Sequence, residues 1–487
     1  MAEDDSLKNK TVSGMGWSAL ENVTRLGVTF VVSIILARLL SPEEYGMIGI
    51  LTIFISIFNA IVDSGFTNAL IRKQNATDTD YSTVFYTNFV LSVMLAAVLF
   101  FCAKSISVFF ERPELELLTK VMSSVVIINA LSIVQRVRTT KAINFKTQTK
   151  ITFISSIGSG VIGITMAYMG YGVWSLVGQQ ISNQLLTTLF FWVYNKWVPK
   201  FIFSWASFKE MWSFGSKLLV SSLIATAWNE IYQVVIGKCY SPATLGLYTR
   251  AKQFADLCSS NLTTVVQRVS YPVLSSIQDD RARLKGAYQR VIKTTMLLTF
   301  VLMLGMSSCA ESIIFILLGE QWLECVPMLQ IICIYGMLYP LHALNLNMLE
   351  VQGRSDLFLK LEIIKKIIAV GPLLLGIFVD INWMLWGSVV TGLFAYYLNA
   401  YYSGPFLNYS IKEQVKDILP SFGVSVAMAV PIYVMSFIPL NSFILLPLQI
   451  VAGASITISI CEATKLPEYI ELKGIAMPII NKVIRRK

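Results

Sequence analysis

The sequence predicts an all-α integral membrane protein of about fourteen transmembrane helices: two six-helix lobes related by a parallel repeat, plus two extra helices. Three observations lead there. The chain of 487 residues is 55% hydrophobic and only 14% charged, with mean hydropathy +0.63, whereas a soluble domain carries about 25% charged residues. Its apolar segments are each about 20 residues long, which suits helices and exceeds the roughly 10-residue strands of a membrane barrel. In lipid, every backbone polar group must be paired inside such elements. Third, Ser41-Pro42-Glu43-Glu44-Tyr45-Gly46 recurs as Ser241-Pro242-Ala243-Thr244-Leu245-Gly246, offset by 200 residues, with Arg38 and Lys238 preceding the two copies at the same register. Two similar halves in a membrane chain are the pattern of a transporter.

Taken in order, the spans are expected at 16–39, 45–71, 83–103, 116–136, 149–169, 173–195, 214–237, 245–273, 290–310, 326–349, 358–379, 383–402, 417–437 and 441–461. The first is too long for a signal-peptide core and lacks a small-residue cleavage site, so it should remain as a helix. The eighth is long and polar. The expected organisation is an N-lobe over 1–195, a linker over 196–212, a C-lobe over 213–403, and the last two helices with a basic cytoplasmic tail over 404–487. In the linker, Trp197, Phe201, Phe203, Trp205, Phe208 and Trp212 are interspersed with Lys196, Lys200 and Lys209, which suits a helix lying in the membrane interface.

Lys and Arg orient the set. Alternate loops hold Arg72 and Lys73; Arg136, Arg138, Lys141, Lys146 and Lys150; Lys196, Lys200 and Lys209; Arg281, Arg283, Lys285 and Arg290; Arg354; and Lys412 and Lys416. The other loops hold little beyond Lys104 and Arg112. The cation-rich set is therefore expected inside, with both termini cytoplasmic. An even number of spans between the repeat copies makes the halves parallel. The outer loops are short, the longest near 104–117 and 311–325.

Ionisable residues within spans are costly, about 3 kcal/mol or more at the bilayer centre, so they face protein or water. They fall on the first (Glu21, Arg25), second (Asp63), seventh (Glu230) and eighth (Arg250, Lys252, Asp256, Arg268) spans, which are equivalent pairs under the repeat. Spans three to six and nine to twelve are expected to carry almost none in their middles. One reading is a polar cavity between the lobes in which the cations Arg25, Arg38, Lys238, Arg250, Lys252 and Arg268 outnumber the anions Glu21, Asp63, Glu230 and Asp256. Such a cavity suits an anionic substrate, because Arg forks match phosphate oxygens. The other reading is that these charges pair off and hold the lobes together. Glu21–Arg25 and Lys252–Asp256 are both spaced for that, and Arg38 and Lys238 could snorkel at helix ends. The anions could also couple transport to an ion. His342 follows Pro340 and reads as a hydrogen-bonding group at a kinked helix. The Ser-Pro turns read as helix caps whose Gly permits close approach.

Other classes are disfavoured. The net charge of +10 sits in short loops between spans and accompanies no nucleic-acid-binding motif. The seven cysteines form no CxxC pair, so neither a metal site nor a disulfide frame is indicated. No Walker motif and no catalytic constellation is visible, so the chain is read as a transporter without a cofactor rather than an enzyme.

Several motifs together resemble one family. Leu36-Ala37-Arg38-Leu39-Leu40 leading into the first Ser-Pro turn resembles the end of the first helix in Wzx-type polysaccharide flippases. Asp63-Ser64-Gly65-Phe66 with Ala69-Leu70-Ile71-Arg72-Lys73 resembles their second helix. Ser82-Thr83-Val84-Phe85, Arg112-Pro113-Glu114-Leu115, Asn144-Phe145-Lys146, Phe214-Gly215-Ser216 and the second Ser-Pro turn through Tyr248 continue the pattern over about residues 6–400. The pattern is similar to the lipopolysaccharide/exopolysaccharide-exporter branch of the multidrug/oligosaccharidyl-lipid/polysaccharide exporter superfamily. The resemblance implies that undecaprenyl-pyrophosphate-linked oligosaccharide is flipped across the inner membrane by alternating access. It implies the lipid-linked oligosaccharide and membrane lipid as partners, with a polysaccharide polymerase and a chain-length regulator as possible protein partners. It makes Arg25, Arg250 and Arg268, then Lys252, the pyrophosphate candidates, with Asp63 and Glu230 as coupling or balancing groups. A drug antiporter or a peptidoglycan-precursor flippase of the same superfamily is the alternative; a basic cavity argues against the antiporter.

Overall fold

The computed structural model describes residues 27–63 and 65–484. Glu21 and Arg25 lie outside them. All regular structure among the described residues is helical. By contacts the chain forms two compact units divided between Gly246 and Leu247.

The first unit contains α1 (Gly27–Leu39), α2 (Pro42–Asp63), α3 (Phe66–Arg72), α4 (Asp78–Phe109), α5 (Glu114–Met122), α6 (Ser124–Lys141), α7 (Phe145–Tyr168), α8 (Trp174–Asn195) and α9 (Trp205–Cys239). The division falls within α10 (Pro242–Cys258). The second unit continues with α11 (Ser260–Ser276), α12 (Arg281–Ser308), α13 (Ala310–Leu317), a 3-10 turn at Glu320–Trp322, α14 (Cys325–Gly336), α15 (Tyr339–Val351), α16 (Ser355–Phe378), α17 (Ile381–Leu407), α18 (Ile411–Met435), α19 (Ser442–Thr464) and α20 (Pro467–Ile484).

From the second onward, each expected span coincides with one helix or with two consecutive helices; of the first, residues 27–39 are helical and 16–26 lie outside the described residues. Nine helical segments among the described residues are long and apolar enough to cross a membrane, and Gly27–Leu39 is a shorter apolar helix. The long polar eighth span is two helices, α10 and α11, meeting at Ser259. The fourth is broken at Ser123 and the tenth between α14 and α15. Local chemistry explains the sharp starts. Thr77 and Asp80 form a reciprocal capping box at α4, and Ser410 and Glu413 form another at α18. Such boxes satisfy amide donors that the first helical turn leaves unpaired.

The linker is a correction. Residues 196–204 are not helical, and the helix that begins at Trp205 runs unbroken to Cys239. The reason is in the sequence: Trp197, Pro199, Phe201, Phe203 and Trp205 recur every second residue, the spacing of extended chain. Polar anchors hold that form. Gln135 Nε2 donates to the Trp197 carbonyl at 2.8 Å, and the Lys200 and Ser204 amides donate to Ser82 Oγ and Thr83 Oγ1 at 3.0 and 3.1 Å. Buried Trp197 packs with Phe85, Phe66 and Met211. The outer loops are also shorter than expected, because α4 reaches Phe109, α5 starts at Glu114, and α13 with the 3-10 turn fills 310–322.

Within the first unit α7 packs on α8, α6 on α4 and α8, and α9 on α2, α3 and α4. The seventh expected span thus packs on the second and third. In the second unit α12 packs on α18 and α14, and α17 on α16, α14 and α15. Its core holds Leu284, Tyr288, Met296, Phe300, Leu341, Met348, Tyr396 and Tyr409.

Candidate functional site

The two Ser-Pro turns start α2 and α10 in the same way. Proline fits a first helical position because its missing N–H would have no partner there. The Ser41 amide and hydroxyl donate to Glu44 Oε2 at 2.6 and 3.0 Å, and the Glu44 amide donates to Ser41 Oγ at 3.4 Å. In the second copy the Thr244 amide donates to Ser241 Oγ at 3.1 Å. The turns do more than cap: they touch each other reciprocally. A β-carbon at Gly46 would lie 1.7 Å from the Pro242 carbonyl oxygen, and one at Gly246 would lie 1.9 Å from the Pro42 carbonyl oxygen. The motif recurs because each copy is the other's packing surface. A second reciprocal pair joins the residue before α3 to the interior of α9, where β-carbons at Gly65 and Gly215 would meet the other's carbonyl oxygen at 3.1 and 2.5 Å. Only glycine lets backbones approach so closely.

The charged candidates separate into distinct surroundings. Lys238 Nζ donates to Glu111 Oε1 at 2.8 Å and sits 5.2 Å from the centre of the Phe109 ring. That contact holds the Glu111 carboxyl below its ordinary range, chiefly through the hydrogen bond. Lys238 is therefore an ion-pair member at a helix end. Asp63, the last residue of α2, accepts from Thr67 Oγ1 of α3 at 2.8 Å. Glu230 accepts from Gln233 Nε2 one turn along α9. Arg38 is an exposed residue at the end of α1.

In the second unit Arg250 is 6% exposed, hydrogen-bonded to Gln253, and lies 5.8 Å from the centre of the buried Trp322 ring. Lys252 and Asp256 form the i,i+4 ion pair that their spacing allowed, at 2.9 Å. Arg268 is exposed on α11 and has no ion-pair partner among the described residues. Of the eight predicted site residues that are described, the structure brings two into direct contact, Lys252 and Asp256.

Sequence reasoning missed part of this unit. The middle of the eleventh span was expected to carry almost no charge, but α16 carries Lys360, Glu362, Lys365 and Lys366, the last two near its midpoint. Lys365 pairs with Glu362. The signal was present: Lys360, Glu362, Lys365 and Lys366 fall inside an otherwise apolar run. His342, one turn beyond Tyr339, meets Asn399 Nδ2 through Nδ1 at 3.4 Å. This is the hydrogen-bonding role expected of it.

Comparison with known proteins follows this geometry. The family described as polysaccharide biosynthesis protein matches residues 35–327. The chain belongs to that family. Among its relatives are the teichuronic acid biosynthesis protein TuaB of Bacillus subtilis (26% identical over 355 residues, 72% of this chain and 73% of the relative) and the succinoglycan biosynthesis transport protein ExoT of Rhizobium meliloti (27% over 333 residues, 68% and 67%). The lipopolysaccharide biosynthesis protein WzxC of Escherichia coli is 23% identical over 377 residues, 76% of each chain. This member of the polysaccharide biosynthesis family shares the fold of the lipid II flippase MurJ in an inward closed conformation (TM-score 0.75, 15% identity, 92% of this chain and 98% of that one). It also shares the fold of an inward-facing multidrug-resistance MATE transporter of the MOP superfamily (TM-score 0.59, 15% identity, 80% and 99%). The chain thus has the all-helical fold expected from the sequence.

Proposed function

We propose that this chain flips undecaprenyl-pyrophosphate-linked oligosaccharide from the cytoplasmic to the outer leaflet of a bacterial inner membrane by alternating access, supplying a surface-polysaccharide pathway. Family membership over residues 35–327 carries the reading, and relatives named for lipopolysaccharide biosynthesis and succinoglycan transport support it. Both termini are cytoplasmic in this reading, as the cation-rich loops favour. The isoprenoid tail stays in lipid while the head group crosses, so the protein must stabilise chiefly a pyrophosphate and a chain of sugars. No bond is made or broken, so the chain acts as a transporter and not as an enzyme. A polymerase and a chain-length regulator would take up the product.

Arg268 is the first candidate for the pyrophosphate, because its guanidinium is exposed and has no ion-pair partner among the described residues. Arg250 is the second: buried beside Trp322, it presents a fixed fork. Lys252 ranks below them, since Asp256 already compensates its charge. Arg25 remains a candidate from sequence alone, and Arg38 is assigned a place at the helix end. Asp63, Glu230, Glu21 and Asp256 balance these cations or couple their cycle to an ion.

The test is transbilayer movement of a lipid-pyrophosphate oligosaccharide in proteoliposomes, read by glycosidase access from outside. Arg268→Gln should cut the rate by about tenfold or more, as expected when a charged hydrogen-bond partner of phosphate is lost. A wild-type protein that moves no such lipid under any ion gradient would overturn the function. An Arg268→Gln protein with full activity would overturn the residue assignment alone.

A further inference from the structure

The reciprocal Ser-Pro turns are held by a third element that belongs to neither copy. The chain between α4 and α5 passes beside both, and its consecutive residues Glu111 and Arg112 face opposite partners. Glu111 Oε1 accepts from Lys238 Nζ at 2.8 Å, three residues before the second turn. Arg112 Nη1 lies 3.5 Å from Glu43 Oε1, inside the first turn. The two copies thus offer charges of opposite sign, and the bridging residues carry the complementary pair in the right order. Below them Phe110 is buried, edge-on to Phe54 of α2 at 6.2 Å, and a β-carbon at Gly237 of α9 would meet its ring at 3.1 Å. The bridge is therefore seated on α2 and α9 together.

Its backbone is specialised for this. Glu111 has φ of 57°, a left-handed conformation that non-glycine residues keep only where the surroundings over-determine it. The Glu111 amide donates to the Val108 carbonyl at 3.2 Å, the Arg112 amide to the Ser107 carbonyl at 3.0 Å, and Ser107 Oγ to the Arg112 carbonyl at 2.8 Å. The turn is rigid, while its side chains remain in reach of water: Lys238 and Glu111 are 36% and 80% exposed, Arg112 and Glu43 38% and 54%. Exposed pairs are individually weak. Contacts that are weak, specific and rapidly remade suit an end of the molecule that opens once per cycle better than a permanent joint.

We propose that the Phe110–Arg112 turn is an ionic latch: Glu111–Lys238 and Arg112–Glu43 hold the two Ser-Pro turns in contact and set how readily they part. The proposal rests on the alternating-access reading above. It assigns the latch to the end of α2 and α9 expected to face outward.

Parting of the turns exposes Leu245, which is fully buried and whose Cδ2 lies 3.4 Å from where a β-carbon on Gly237 would stand. The experiment places Leu245→Cys in a protein lacking its native cysteines and follows its modification by a maleimide in lipid nanodiscs, where both membrane faces are accessible. Glu111→Gln with Arg112→Gln should raise the modification rate about fivefold, the combined effect of two weak exposed pairs. The charge-exchanged protein, Glu111→Lys with Lys238→Glu, should return the rate toward its starting value. An unchanged rate in the double Gln protein overturns the latch. So does an equally raised rate in the exchanged protein, because a side-chain shape effect and not an ion pair would then be at work. Lys238→Gln breaks one pair without touching the left-handed turn, and serves if the double variant fails to fold. Labelling reads opening without substrate, so a protein that is latched but moves no lipid-linked sugar fails the functional reading and not this one.

Discussion

Gly46 and Gly246 are glycines for a reason that one copy of the motif cannot show. Each leaves room for the carbonyl oxygen of the proline that opens the other turn. Gly46→Ala would put a methyl group 1.7 Å from that oxygen, and backbone cannot give way as a side-chain tip can. We expect it to destabilise the folded protein by about 2 kcal/mol, within the range for overpacked sites, as checked by thermal unfolding in detergent. Gly286→Ala is the control. It lies inside α12 with nothing within 4 Å of the added carbon, so the substitution should stabilise by about 0.5–1 kcal/mol through helix propensity alone. The charged residues teach a similar lesson. Lys252 and Asp256 could be paired on sequence spacing because i and i+4 share a helix face. Lys238–Glu111 could not, because its partners are 127 residues apart.

At the scale of elements, helix starts are legible because capping is local. The start of α4 is a case where the cap also carries tertiary load. Asp80 is 2% exposed, closes the capping box with Thr77, and pairs with Lys73 at 3.0 Å, which itself reaches Glu210 of α9 at 2.9 Å. The two carboxylates together hold the Lys73 ammonium above its ordinary range, the Glu210 hydrogen bond most of all. Asp80→Ala would remove the half of the capping box in which its carboxylate accepts from Thr77, and leave Lys73 only its exposed partner. We expect a loss of about 2 kcal/mol, between the cost of a cap and that of breaking a buried pair. Thermal unfolding would show it, and Glu210→Ala should cost clearly less. The start of the linker is extended for an element-scale reason: its aromatic residues recur every second position, and Pro199 disfavours helix at the residue before it. The break between α10 and α11 at Ser259 had no comparable signal, since no Gly or Pro marks it.

For the whole molecule, the cation-rich loops make a topological prediction. Single cysteines at Gly170 and Asp380 should react with an impermeant thiol reagent from outside intact cells, and one at Arg138 only after the membrane is opened. A reversal at any position would overturn the orientation. The sequence by itself determined that the chain is helical, where nearly every helix lies, that it repeats across its midpoint, and that it belongs with polysaccharide flippases. Those properties follow from hydropathy, periodicity, caps and motifs, which are written in consecutive residues. Only the tertiary structure decided what the repeat is for: the two turns pack on each other, and Glu111 and Arg112 pair with one charge beside each. It also decided that Lys238 is an ion-pair member and that Arg250 lies buried against Trp322. The physical reason is common to all of these. An electrostatic or packing contact depends on distance in space, and between residues far apart along the chain that distance is set by how the helices pack.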